Sequence, residues 1–189
     1  MPEESPAHHV RVLRFSVAEF NTVPEKFFEY TPWFTNVVGV TLLAYGVTQP
    51  SWGPPYWRLP QSVTSLTIGA NTITLPQIQD IMAQLPNLDD LTLSGSLVGE
   101  VKGAFVGDGT GLRGKFGGQL RLLGRSASEG VVDMLLGIPT GLHFTHVQIR
   151  SPHECLLSTA RLVDACAKTL VKLLYTVDGH CKFHPFSWF

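Results

Sequence analysis

Charge is scarce in this chain. Asp, Glu, Lys and Arg make up 15% of its 189 residues and balance to a formal net charge of -1. Nucleic acids and anionic membranes reward strongly basic surfaces, so neither is expected as a partner, and any charged site must be local. Cysteine is scarce as well. Cys155, Cys166 and Cys181 are odd in number and unrelated in spacing, which argues against a disulfide framework and for a reducing compartment, cytoplasmic or nuclear. Long apolar runs are missing too: the longest, Trp33 to Val47, is broken by Thr, Asn and Gly and falls short of the roughly 18 to 20 residues that span a bilayer. The opening MPEESPAHHVRV has no basic segment leading into an apolar one, so no secretory signal is expected.

What is present is a recurring pattern. The segment VTSLTIGAN places Val63, Leu66, Ile68 and Asn71 in the form L-x-x-L-x-L-x-x-N, and LPNLDDLTLSG repeats its first part with Leu88, Leu91 and Leu93. Looser copies are Val10, Leu13, Phe15; Val37, Val40, Leu42; Phe144, Val147, Ile149; and Leu170, Leu173, Tyr175. One copy is defective, with Leu120 and Leu122 in place but Gly117 where the first apolar residue should stand. The central apolar residues fall at 13, 40, 66, 91, 120, 147 and 173, at intervals of 27, 26, 25, 29, 27 and 26. A single short strand cannot bury its apolar side alone, but a parallel stack covers each rung with its neighbours. The expected fold is therefore α/β, a leucine-rich-repeat solenoid of about seven repeats. It would form a curved horseshoe segment, with a parallel sheet on the concave side and helices and loops on the convex side.

One domain over 1–189 accommodates this, with 1–9 as a flexible N-terminal segment and 178–189 as a C-terminal cap. Helices are expected in TVPEKFFEY, capped by Thr22 with Pro24 and Glu25 in its first turn, and in SASEGVVDMLLGIP, where Ser126 and Glu129 form a capping box and the helix stops before Pro139. LPQIQDIMAQLP carries an apolar stripe of Ile78, Ile81, Met82 and Leu85; the last helix carries Leu156, Ala160, Leu162, Val163, Cys166 and Leu170. Two connections break the rule. Residues 46–60 hold four prolines and residues 99–118 eight glycines, so both are expected as irregular loops, the second with a short strand near Ala104 to Val106. Trp52, Tyr56 and Trp57 in the first loop either fill the space a helix would occupy or anchor a partner.

The string LRLLGRSASEGVVDMLLGIPTGLHFTHVQI, residues 120–149, resembles the repeat region of mushroom-type fungal F-box-like proteins, and LPNLDDLTLSG and LVKLLYTVDGHCKFHPFSWF resemble it more loosely. The resemblance implies the target-binding repeats of a ubiquitin-ligase receptor. A cullin-RING adaptor is implied as a partner only if an F-box is encoded elsewhere, since no L-P-x-E-[IVL] type of segment precedes Val10. The alternative is a stand-alone repeat scaffold that binds another protein with no ligase link.

Chemistry finds little support in the spacing. Gly109, Gly111 and Gly114 spell G-x-G-x-x-G, but another rung follows where a dinucleotide site needs a helix, so no cofactor is expected. His143, His146, His153, Cys155, His180, Cys181 and His184 cluster near the end of the chain without completing a four-ligand zinc pattern. A metalloprotein or a hydrolase using that cluster is the reading from another class; no catalytic residue and no metal ligand is assigned.

The concave face is the expected site, because solenoids bind along it. Period-two alternation turns Asp90, Thr92 and Ser94 away from the core, together with Thr41, Ser65 and Thr67. The last rungs add Gln119, Arg121, Leu123; His146, Gln148, Arg150; and Lys172, Leu174, Thr176, with Arg121 and Arg150 expected at equivalent positions of adjacent strands. The partner-binding residues are then Arg121, Arg150, Lys172, His146, Gln148, Gln119 and Asp90, facing an acidic or phosphorylated protein. Soluble side chains on a solvated face are the plain alternative.

Overall fold

The computed structural model describes residues 6–16, 33–44, 59–70, 73–97, 116–151 and 155–177. Seven strands form one open, all-parallel sheet: β1 Val12–Ser16, β2 Gly39–Ala44, β3 Ser65–Ala70, β4 Asp90–Ser94, β5 Gln119–Leu123, β6 His146–Ser151 and β7 Lys172–Val177. They lie side by side in chain order, so every connection joins neighbours. Among the described residues three α-helices occupy connections: α1 Leu75–Ala83, α2 Glu129–Leu136 and α3 Leu156–Cys166.

The register unites these strands. Leu13, Val40, Leu66, Leu91, Leu120, Val147 and Leu173 pair in succession, and so do Phe15, Leu42, Ile68, Leu93, Leu122, Ile149 and Tyr175. The central apolar residues read from the sequence thus form one continuous row. In β2 through β6 both rows are at most 2% exposed, and they share a core with Ile78, Met82, Val132, Leu135 and Leu162 of the helices. Among the described residues the helices therefore cover the apolar side of the sheet and none lies on its other side.

Local chemistry explains the helices. Thr74 caps α1, its hydroxyl accepting from the Gln77 amide while the Gln77 side chain accepts the Thr74 N–H at 2.9 Å. The expected stripe holds there, with Ile78, Ile81, Met82 and Leu85 all buried. At α2 the expected capping box is absent: the N-cap is Ser128, without a side-chain bond, and Ser126 lies in a 3-10 turn, Gly124–Ala127. Its buried hydroxyl donates to the carbonyls of Leu93 at 2.8 Å and Leu123 at 3.0 Å, tying β4 to the end of β5. In α3 the inward face is Ser158, Thr159, Leu162 and Cys166, whereas Leu156 and Ala160, expected in the stripe, are exposed. Residues 6–9 form a 3-10 turn in the segment expected to be flexible, and Asn36 donates to the His8 carbonyl at 2.8 Å. Thr22, Pro24 and Glu25, nearly all of both irregular loops, Asn71 and the expected C-terminal cap lie outside the described residues.

Consecutive rungs are joined by the same fork. The carbonyl before one strand accepts two amides at the start of the next: Arg11 from Val38 and Gly39, Val38 from Thr64 and Ser65, Thr64 from Asp89 and Asp90, Gly118 from Thr145 and His146, Thr145 from Val171 and Lys172. Between β4 and β5, where the spacing is longest, carboxylates serve instead. Asp89 Oδ1 accepts the Gly117 amide at 2.7 Å and Asp90 Oδ1 the Gln119 amide at 2.6 Å. A Cβ on Gly118 would collide with the Asp90 carboxylate and come within 2.9 Å of Asp89 Oδ2, so only glycine admits this approach. The apolar position left empty by Gly117 is filled from next door. Phe116, at φ 40°, is fully buried and packs edge-on against Phe144 with ring centroids 5.7 Å apart.

Two substitutions test this junction. Phe116→Ala is expected to cost about 3–5 kcal/mol, a large aromatic lost from a closed core, read as a lower urea midpoint. Gly118→Ala is expected to cost about 1–3 kcal/mol through overpacking. Part of that loss disappears in an Asp90→Ala background, so a double-mutant cycle returns a coupling different from zero.

Candidate functional site

The open face of the sheet is a grid whose columns are strands and whose rows follow from the register. One row runs Asp90, Gln119, His146, Lys172 along the strand starts; the next runs Arg14, Thr41, Thr67, Thr92, Arg121, Gln148, Leu174. The third holds Ser94, Leu123, Arg150 and Thr176. This corrects the expected pairing of the arginines: Arg121 stands opposite Gln148, and Arg150 stands opposite Leu123. Both face the same side, because alternation preserves the face, but they are two residues out of line along the strands. That step adds ~7 Å to the ~4.8 Å between strands.

Six of these side chains, Gln119, Arg121, His146, Gln148, Lys172 and Leu174, line a shallow depression of about 170 Å³ floored by Leu120 and Val147. Five are residues the sequence singled out; Leu174, 48% exposed, is the apolar member of the rim. The cations stand at opposite corners of the grid, and long flexible stems allow both heads to reach its middle. Arg121 is partly held, one guanidinium N–H donating to Gln119 Oε1 at 2.9 Å. Its remaining donors form a fork that matches a planar carboxylate. The Lys172 ammonium has no hydrogen-bond or ion-pair partner among the described residues.

His146 is oriented by its neighbour. Thr145 Oγ1 lies 3.0 Å from His146 Nδ1 and directs its single proton at the carbonyls of Gly117 and Gly118, at 3.0 and 3.1 Å. Nδ1 is thereby engaged within the chain, and Nε2 is the ring nitrogen left for a ligand. Asp90, expected among the partner-facing residues, is committed to the chain by its bond to the Gln119 amide. Arg150 lies outside the depression. The set as a whole is rich in donors, with one apolar edge.

Other expected sites contribute less. Trp52, Tyr56, Trp57, the three glycines of the G-x-G-x-x-G string, His153, His180, Cys181 and His184 lie outside the described residues. Among the described residues no group of three or more His, Cys, Asp or Glu side chains is placed to hold a metal ion. His143 Nε2 contacts the Thr140 carbonyl at 3.1 Å, within its own turn. Cys166 is fully buried, and burial pushes its thiol pKa up while a hydrogen bond with the Phe144 backbone pulls it partly back. No helix among the described residues is long and apolar enough to cross a membrane.

No family model matches this chain, no curated protein matches it, and no solved structure matches it.

Cys166 provides a pH-dependent readout of the core. Below the ordinary thiol value of about 8.5 the buried neutral group contributes its full stability; as pH rises beyond it, the unfolded chain ionises first and stability falls. Unfolding monitored from pH 7 to 10 is expected to show this decline, and Cys166→Ala to flatten it. At pH 8 a thiol reagent is expected to label Cys166 only at the rate of unfolding.

Proposed function

We propose that this chain is a protein-recognition module that docks an extended acidic segment of another protein across the open face of its sheet, at the depression between β5 and β7. The observation that carries the reading is the convergence of Arg121 and Lys172 with the amides of Gln119 and Gln148 around one hollow, beside the His146 ring. Such a set offers many donors to carboxylate or phosphoryl oxygens, and Leu174 offers a short apolar contact beside them. A flat sheet face with few obligatory internal bonds suits a strand-like ligand, because each ligand residue meets a different column.

The repeat-like architecture supports a finer proposal, that the fold is a leucine-rich-repeat solenoid and its open face the concave recognition surface. The resemblance of residues 120–149 to fungal F-box-like repeats supports placing the module in a ubiquitin-ligase receptor. Recovery of the cullin adaptor on affinity purification from the native cell would favour that reading over a free-standing scaffold. In either setting the chain binds and performs no reaction of its own.

The experiment is charge reversal in the depression. A glutamate-rich fluorescent decapeptide is expected to bind with an affinity that falls with salt, since exposed charges are screened. Arg121→Glu with Lys172→Glu is expected to weaken it at least tenfold, about 1.4 kcal/mol, with the melting temperature unchanged within a degree or two. Lys168→Glu, a single reversal away from the depression on the turn after α3, is expected to leave binding within twofold. Binding indifferent to the double reversal would refute the site.

A further inference from the structure

An acidic segment can carry its charge as carboxylates or as a phosphoryl ester, and the depression discriminates between the two. It measures about 170 Å³, and none of its eight lining residues is acidic. Clefts that take up a whole small molecule begin at roughly 300 Å³, so this hollow suits a single head group on a docked chain.

Its two cations stand on columns two strands apart, ~10 Å at the backbone, with the β6 column between them. The Arg121 guanidinium gives one N–H to Gln119 Oε1 and keeps its remaining donors, while Lys172 stands beside His146 in the register. Neither cation has a carboxylate partner among the described residues. A carboxylate is a planar monoanion: one arginine fork satisfies both its oxygens and all of its charge, and the ammonium on the far side is left unmatched. A phosphoryl ester carries about −1.5 to −2 charges at pH 7 and three acceptor oxygens that point apart, so it meets the fork with two and the ammonium with the third. Both cations are then neutralised by one group, and Gln148, in the column between them, can add its amide N–H.

The charge is met only once along this line. A polyanion needs cations repeated along its path, whereas the row leading from Arg121 toward β2 presents Thr92, Thr67 and Thr41. One modified residue on an otherwise ordinary segment fits that layout, and a nucleic acid or a charged lipid surface does not.

We propose, on the strength of the docking reading above, that the group seated in the depression is the phosphoryl ester of a phosphorylated serine or threonine, held by Arg121 through two oxygens and by Lys172 through the third. Docking is then switched on by modification of the partner, because the unmodified hydroxyl offers neither the charge nor the oxygens.

The test uses the full chain and the glutamate-rich decapeptide with one of three centres: phosphoserine, a single glutamate, or a glutamate pair that matches the charge of phosphoserine. At about 150 mM salt the phosphoserine peptide is expected to bind at least tenfold more tightly than either of the others. Lys172→Ala is expected to reduce that preference below threefold. Arg121→Lys, which keeps the charge and removes the fork, is expected to weaken the phosphoserine peptide at least fivefold, with the melting temperature of both variants unchanged within a degree or two. Equal binding of the phosphoserine and glutamate-pair peptides, or a preference untouched by Lys172→Ala, would overturn the phosphoryl assignment and leave the docking of an acidic segment standing. Binding of none of the three would overturn both. Vesicles carrying a phosphoinositide that bind more tightly than the phosphoserine peptide would overturn the assignment in favour of a membrane surface.

Discussion

Everything in this fold depends on register. A parallel pair shifted by one residue would turn every side chain of one strand to the opposite face, moving leucines into water and arginines into the core. Six successive pairings avoid this, so that two apolar rows run unbroken from Leu13 to Leu173 and from Phe15 to Tyr175. The hydrophobic effect specifies the register, and forks of backbone amides at the strand starts hold it at every junction but that of β4 and β5. Side chains reinforce the stack from outside the ladder: Ser62 donates to the Val37 carbonyl at 2.7 Å, Asn87 to Gln61 at 2.9 Å and Thr169 to Phe144 at 3.3 Å. Each satisfies a loop carbonyl of the preceding rung that would otherwise need water.

Unequal connections put this constraint under strain, and the junction between β4 and β5 shows how it is met. The spacing there is 29 residues against 25 to 27 elsewhere, and the first apolar position is a glycine. Instead of slipping, the chain changes its means. Two carboxylates take the amides of Gly117 and Gln119, Gly118 makes room for them, and Phe116 turns through a left-handed backbone to fill the core from the neighbouring position. The next apolar pair, Leu91 with Leu120, is then in line.

How much of this is legible in the sequence depends on which interaction decides each feature. Strand positions and their order are legible because burial decides them and burial leaves a pattern: Leu66, Leu91 and Leu120 recur where a stack needs them. The α1 stripe is legible for the same reason. What escapes is decided by polar contacts across the stack, which leave no periodicity. Ser126 reads as a helix cap but serves as a buried clamp on the Leu93 carbonyl, and the inward face of α3 begins with Ser158, whose hydroxyl donates to the carbonyls of Ala127 and Cys155. Which side chains share the outward face is legible, and their arrangement on it is not. Alternation says that Arg121 and Arg150 face the same way; only the pairing of Arg121 with Gln148 says that they do not stand abreast. Leu174 was read as facing outward but not as part of a rim, since rows across strands are invisible to a reading along one strand.

The same separation of roles explains why the open face can carry a binding function. Alternate residues of β5 and β6 are spent on packing: Leu120, Leu122, Val147 and Ile149 are closed off from solvent, while Arg121 and His146, with Lys172 of β7, are exposed. Exchanging one exposed side chain for another on such a scaffold costs little stability, usually within about 0.5 kcal/mol. The core fixes where each outward Cα stands, and the outward residue alone fixes what is presented there. A row of threonines at Thr41, Thr67 and Thr92 gives way, along the same line of the sheet, to Arg121, Gln148 and Leu174. The backbone geometry is continuous across that change, so the difference between the two stretches lies in side-chain chemistry alone: hydroxyls on β2 to β4, and a guanidinium, an amide and an isobutyl group on β5 to β7.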